Sequence, residues 1–282
     1  MILGLPSGIG DISWVISKVV NSDEWKNHKV GFQIADGWPF RAKPYLDMIG
    51  VESSYGQFRY EDIITFELLH PYKTWKDVCQ SCFGTYLMEP NMHLEEGRPL
   101  STYLPDLPTD YHYPLNIPDI SSKPYYKALT SDSYIGISAA SYRGASAWKT
   151  WEMEQWIELC HMVLPKYKIC LMGGSWDDLT RSLESELPED SVLNLVGRTS
   201  FPEACAVHKL LPFYIGFSSG LGIIRSVMSL PTFMLWPEHQ QPLSTSWADP
   251  ADIESSRYIA FPYVQPKTIH RLFKQQEEQH GK

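Results

Sequence analysis

Two hydrophobic rhythms take turns along this chain. Residues 1–5 and 29–34 (KVGFQI) are short apolar runs of strand length. Between them Ile12, Val15, Ile16, Val19 and Val20 recur at i, i+3, i+4, i+7 and i+8, one face of a helix. Strand, helix and strand in that order form a βαβ unit, whose helical return makes the strands parallel. From Tyr134 the same alternation becomes regular. The strand-like YIGIS precedes a helical stretch over 152–164, where Trp156, Ile157, Cys160, Val163 and Leu164 share a face. KICLMGG, a helix over 177–187 and VLNLVG follow, and Ser200-Phe201-Pro202-Glu203 has the spacing of a capping box opening another helix. FYIGF, a helix over 221–229 and TFMLW complete the series, and Ile269, Leu272 and Phe273 mark the inner face of a last helix over 266–279. The intervening 38–130 is aromatic and irregular, with a helix expected near 75–86 and with Pro105, Pro108, Pro114 and Pro118 interrupting any long element.

This pattern predicts an α/β protein with two Rossmann-like domains, parallel sheets facing a cleft, and a boundary within 122–133. The expected division is 1–130, 131–265 and a closing helical segment over 266–282. At 282 residues, 43% hydrophobic and 20% charged, the composition suits folded domains rather than a disordered chain. A net charge of −9 disfavours broad binding to nucleic-acid backbones. Cys79, Cys82, Cys160, Cys170 and Cys205 are scattered and odd in number, which suggests reduced thiols and a cytoplasmic setting. The opening MILGLPSGIGD lacks the basic start of a signal peptide, and no apolar run approaches the roughly 20 residues that span a bilayer. Any membrane association would then be peripheral.

In an open α/β sheet, ligands gather beyond the carboxyl ends of the strands. Four stretches end strands with unusual residues. In Ser7-Gly8-Ile9-Gly10-Asp11, Asp11 either caps the first helix or points into the cleft as a general base; one residue can do both. Gly8-x-Gly10-x-x-Ser13 with Asp36 also resembles half of a dinucleotide fingerprint, but its third glycine is missing and the acid lies too far on. In SAASYRGASAWKTW, which begins at Ser138, Arg143 and Lys149 precede a helix N-terminus. That end is already positive, so cations fit there if an anion binds between them; otherwise they are solvated charges. In Gly173-Gly174-Ser175-Trp176-Asp177-Asp178, the glycines allow close ligand approach. Its acids either accept hydrogen bonds from a ribose or simply favour a helix's first turn. Finally, Ser218, Ser219, Gly220, Leu221 and Gly222 would present free N–H groups where a diphosphate is stabilised.

Weaker signals are a Cys79-x-x-Cys82 pair near His70 and His93, which lacks the second ligand pair of a zinc site, and an aromatic group of Trp38, Phe40, Tyr45, Tyr55 and Tyr60. That group would either stack on a sugar or pack a core. No Asp-x-Asp triplet occurs, which argues against a metal-bridged nucleotide diphosphate.

Taken in order, GIGDISWVISKV, ASAWKTWEMEQWIELC, ICLMGGSWDD, LNLVGRTSFPEACAV and YIGFSSGLGIIRSVMSLPTFMLWP resemble the heptosyltransferase-type glycosyltransferases of family 9. The resemblance covers 1–35 loosely and 134–237 well. It implies a GT-B fold, an acceptor-side N-terminal domain and a C-terminal domain for a nucleotide-diphosphate sugar. It also implies metal-independent, inverting transfer, with no cofactor besides the donor. By the resemblance Asp11 is the base, with Gly10 and Trp38 on the acceptor side. Lys149 with Ser138 holds the donor diphosphate, Asp178 with Gly174 faces the ribose, and Ser218, Ser219, Gly220 and Leu221 form the anion cradle. Ser218 stands where the family has an aspartate, and Ile223 where it has a histidine. Those departures keep two other readings in view: a nucleotide-sugar-binding protein without catalysis, and a Rossmann oxidoreductase using NAD(P). The sugar stays open, as does the acceptor among a glycan, a protein and a modified DNA base.

Overall fold

The computed structural model describes residues 2–5, 9, 13, 31–34, 39–50, 53–55, 114–139, 151–217, 219–237, 258–261 and 265–280. The chain divides into two compact units. One comprises Met1–Ile117, Val227–Ser229 and His239–Ser255; the other comprises Pro118–Ser226, Leu230–Glu238 and Ser256–Lys282.

In the first unit, strands β1 (Ile2–Leu5), β2 (Gly31–Ile34) and β3 (Ser53–Tyr55) lie parallel in the order β1-β2-β3, with Ile2 opposite Gly31 and Phe32 opposite Ser53. The parallel β1–β2 pair is what the βαβ rhythm demands. Helix α1 (Pro39–Met48) precedes β3 and buries Tyr45, Leu46 and Met48 while Lys43 and Asp47 pair at 2.8 Å on its open side. Neither element is visible from pattern alone. Pro39 and Pro44 disguise the helix, and three residues are too few to show a strand's period. Tyr45 is thus a core residue, not part of a sugar platform. The helix expected near 75–86 and the Cys79–Cys82 pair lie outside the described residues.

The second unit runs α2 (Tyr126–Ser131), β4 (Tyr134–Ser138), α3 (Met153–Val163), β5 (Lys168–Leu171), α4 (Asp178–Glu186), β6 (Val192–Asn194), α5 (Phe201–Leu210), β7 (Tyr214–Phe217), α6 (Gly220–Val227), β8 (Thr232–Pro237), β9 (Tyr258–Phe261) and α7 (Pro266–His280). Its six strands are all parallel in the order β6-β5-β4-β7-β8-β9. Alternation sends Ile135, Ile137, Ile169, Leu171, Ile215, Phe217, Phe233 and Leu235 to one face. There they pack with Trp156, Leu159 and Val163 of α3 and with Ile269 and Phe273 of α7. The ring of Phe273 meets Phe213 edge-on at 4.9 Å. The closing helix is therefore part of this unit's core.

The other face carries Gly136, Ser138, Met172, Tyr214 and Gly216 and is covered by α5 and α6. His208 of α5 meets the Tyr214 ring edge-on at 4.9 Å, and a Cβ on Gly222 of α6 would lie 3.0 Å from Met234 of β8. Gly222 thus lets helix and strand approach. The capping box at Ser200 and Glu203 forms as its spacing predicts, with the Glu203 carboxylate accepting from the Ser200 N–H at 2.7 Å. Arg225 of α6 is fully buried and ties this layer together. Its Nε donates to Pro231 O at 2.8 Å, and its two Nη groups donate to His208 O at 2.5 Å and Leu211 O at 2.8 Å. The guanidinium thereby satisfies carbonyls at the negative end of α5. Burial, with the Arg225 charge beside it, holds His208 well below the ordinary histidine range.

Candidate functional site

Strand order places the site. From β4 the chain winds outward through β5 to β6, then returns to the other side of β4 and winds through β7 to β9. The connections reverse between β4 and β7, and such a switch point opens a crevice at the strands' carboxyl ends. Ser138 pairs in register with Gly216 there, so the end of β4 lies beside the β7–α6 turn.

The turn is built from small residues. The Ser219 N–H donates to Phe217 O at 2.7 Å, and Ser219 O accepts from the Ile223 N–H at 3.0 Å, which starts α6. Ser219 therefore spends its own N–H within the turn, contrary to the expectation that it offers one to an anion. Gly220, Leu221 and Gly222, in the helix's first turn, are left with N–H groups that no helical carbonyl can reach. Ser219, Gly220 and Leu221 are partly accessible, whereas Ile223 is 5% exposed and packed inward.

On the other side of β4, the β5–α4 turn is held by its own side chains. Asp177 is the N-cap of α4: its two carboxylate oxygens accept from the Thr180 N–H at 2.9 Å and the Thr180 hydroxyl at 2.6 Å. The Thr180 oxygen in turn accepts from the Ala139 N–H at 2.8 Å, which couples the end of β4 to α4. A Cβ on Gly173 would fall 2.5 Å from Asp177 Oδ2, and one on Gly174 would fall 2.3 Å from the Trp176 indole. These glycines are occupied by side chains of their own loop, where the sequence reading reserved the space for a ligand. Asp178, expected at the ribose, has a side chain 81% exposed and pairs with Arg181 at 2.8 Å.

Burial dominates at Asp177 and raises its pKa to about 6, although both Thr180 hydrogen bonds pull the other way. A carboxyl with a folded pKa above its unfolded value near 3.9 binds its proton better when folded, so its contribution falls as pH rises from about 4 through 6. Asn can cap a helix equally well but does not titrate. The stability of Asp177→Asn relative to the parent should therefore improve between pH 4 and 7, by on the order of 2 kcal/mol. Urea unfolding at four pH values reads this directly; a difference independent of pH would contradict it.

Sequence reasoning missed Tyr214. Fully buried, it starts β7, and an aromatic in an apolar strand reads as core. A Cβ on Gly136 would lie 2.8 Å from the ring, and one on Gly216 only 2.7 Å from the hydroxyl oxygen. The side chain therefore runs along the sheet over two glycines towards the crevice. A glycine inside each of these two apolar strand segments was the available signal, since strand glycines often mark close approach. Cys160, Cys170 and Cys205 are free and buried; burial pushes the thiols of Cys160 and Cys205 up to about 12, which suits packing rather than nucleophilic chemistry. Gly10, Asp11, Trp38, Lys149 and Ser218 lie outside the described residues; of the other expected site residues, Ser138 ends β4 beside Gly216 of β7, and Ser219, Gly220 and Leu221 follow that strand at the start of α6.

A Rossmann-ordered parallel sheet with a helix N-terminus at its switch point defines the class of nucleotide-binding α/β proteins. The sequence profile of glycosyltransferase family 9 (heptosyltransferase) matches residues 89–265. The chain belongs to that family. It is a glycosyltransferase that depends on a nucleotide sugar, which does not favour the oxidoreductase or non-catalytic readings. ADP-heptose LPS heptosyltransferase II of E. coli is similar in structure at 14% identity and a TM-score of 0.65, over 100% of this chain and 99% of that one. A family 9 glycosyl transferase from Veillonella parvula shares 14% identity with a TM-score of 0.63, over 92% and 84%. The dodecameric, iron-containing glycosyltransferase TibC of enterotoxigenic E. coli shares 12% identity with a TM-score of 0.53, over 93% of this chain and 62% of that one. These likenesses establish the GT-B fold. Comparison with curated proteins finds no match. Among the described residues, no helix is long and apolar enough to cross a membrane.

Proposed function

We propose that the protein transfers a sugar from a nucleotide-diphosphate sugar to an acceptor hydroxyl with inversion and without a metal ion, its donor diphosphate held at the start of α6. The observation that carries this reading is the set of first-turn N–H groups at Gly220, Leu221 and Gly222, placed at the switch point beside Ser138. Asp11 takes the acceptor's proton as its oxygen attacks the sugar carbon. The bond from that carbon to the diphosphate breaks, and its electron pair stays on the departing phosphate oxygen. Charge grows there, and donors already aimed at it lower the barrier by about 2–4 kcal/mol each. Lys149 adds a positive charge to the same end, which is how a site of this kind works without a divalent ion. The scattered thiols agree with a cytoplasmic setting.

ADP-sugars are the first donors to try, because the E. coli neighbour is an ADP-heptose enzyme. A thermal-shift panel of ADP-, UDP-, GDP- and CDP-sugars should raise the melting temperature with one nucleotide, and Lys149→Ala should weaken that binding by about tenfold or more. Transfer should persist in EDTA. Restoration of an EDTA-treated enzyme by a divalent ion would overturn the metal-free mechanism, and a panel without any shift would overturn the donor site.

A further inference from the structure

The Tyr214 hydroxyl is a polar group carried into the interior between β4 and the start of α6. Its residue is fully buried, and the groups its hydroxyl meets are the hydroxyls of Ser138 and Ser219. Phenylalanine would serve packing alone in the same space, so what the hydroxyl adds is its meeting with these two groups. Two strand glycines, Gly136 and Gly216, stand on either side of the path the ring takes along the sheet. Register and glycines together deliver the oxygen to one spot: beside Gly216, whose partner across β4–β7 is Ser138, and behind the Ser219 turn that starts α6. Burial pushes the phenol up to about 12, so at neutral pH it is a hydrogen-bond donor; the facing groups are the Ser138 and Ser219 hydroxyls, the Asp177 carboxylate and the Arg225 guanidinium.

We propose that Tyr214 is a positioning residue of the donor-diphosphate site, its hydroxyl orienting that of Ser219 behind the α6 N-terminus. This rests on the reading of that helix start as the diphosphate end. When the anion binds, Tyr214 Oη donates to Ser219 Oγ, which frees the Ser219 hydrogen to donate to a phosphate oxygen. The relay adds a side-chain donor at a turn whose own Ser219 N–H is committed to Phe217 O. Tyr214 never touches the ligand. It aligns a group that does, and a hydroxyl polarised by a second hydroxyl is the better donor.

The test is calorimetric titration of ADP, UDP, GDP and CDP into the full-length protein, its Tyr214→Phe and Ser219→Ala variants, and the double variant. The parent should bind one nucleotide, and Tyr214→Phe should bind it about 5–10-fold more weakly, as loss of a coupled hydrogen bond implies. Its melting temperature should meanwhile move by no more than about 2 °C, since the hydroxyl's neutral contacts contribute little net stability. A merely structural tyrosine would lose stability and affinity together. Because Tyr214 acts through Ser219, the double variant should be no weaker than Ser219→Ala alone. Unchanged affinity in Tyr214→Phe, or losses that multiply in the double variant, would overturn the role of Tyr214 while leaving the donor site standing. A parent that binds none of the four nucleotides would overturn both.

Discussion

Asp11→Asn is expected to fold as the parent does and to lose turnover by about 10²–10⁴-fold. The substitution separates the two roles open to this residue. As a helix cap, Asn accepts the same backbone hydrogen bonds as Asp, so a capping residue would tolerate the change with little effect on stability. As a base, Asn has no site that takes up a proton at neutral pH, and the acceptor hydroxyl must then attack while still protonated. Donor binding should be spared, because the nucleotide is assigned to residues of the other unit. The decisive data are single-turnover rates with saturating donor, alongside the melting temperature. Transfer near the parent's rate would remove Asp11 from the chemistry and leave it a cap.

The largest effect on stability is expected at Arg225. Its guanidinium serves three carbonyls, those of His208 and Leu211, buried at the end of α5, and the partly buried one of Pro231. Methionine would fill much of the stem's volume and none of the donor positions. Each buried acceptor stranded in this way costs about 1–3 kcal/mol. With some water admitted, the sum for Arg225→Met is on the order of 4 kcal/mol. Arg225→Lys should recover a part of it, because one ammonium cannot span the arc that a planar fork covers. Urea unfolding measures both, and a midpoint unchanged in Arg225→Met would contradict the assignment. A loss of this size also bears on function, since α6 carries both Arg225 and the first-turn amides of Gly220 and Leu221.

How far the sequence could be read depended on how each element is held. Strands β4, β5, β7 and β8 are buried on both faces, so they appear as apolar runs, and the helices between them bury one stripe each. Local composition suffices to reveal both. By contrast β3 is three residues long, α1 carries Pro44 inside it, and α2 is six residues with one buried side chain, Leu129. None of these has a period long enough to register. The small residues Ser219-Gly220 announced the start of α6 because tight turns and open helix ends require such residues wherever they occur. The choice between Asp177 and Asp178 was a different kind of question. It turned on where α4 takes its first helical residue, and that start buries the first acid and exposes the second.

By itself, then, the sequence determined the α/β class, the parallel winding and the segment that forms the helix start, since these follow from residue type and spacing along a few neighbouring positions. Only the tertiary structure decided what surrounds that helix start. Tyr214 reaches Ser219 because β7 pairs with β4 in one register, so that Gly136 and Gly216 flank its ring. Ser138 and Ser219, separated by 81 positions in the chain, both come to the Tyr214 hydroxyl because the strand order reverses between those same two strands. Register and strand order are properties of contacts between distant segments. The periodicity of a single segment carries no record of them.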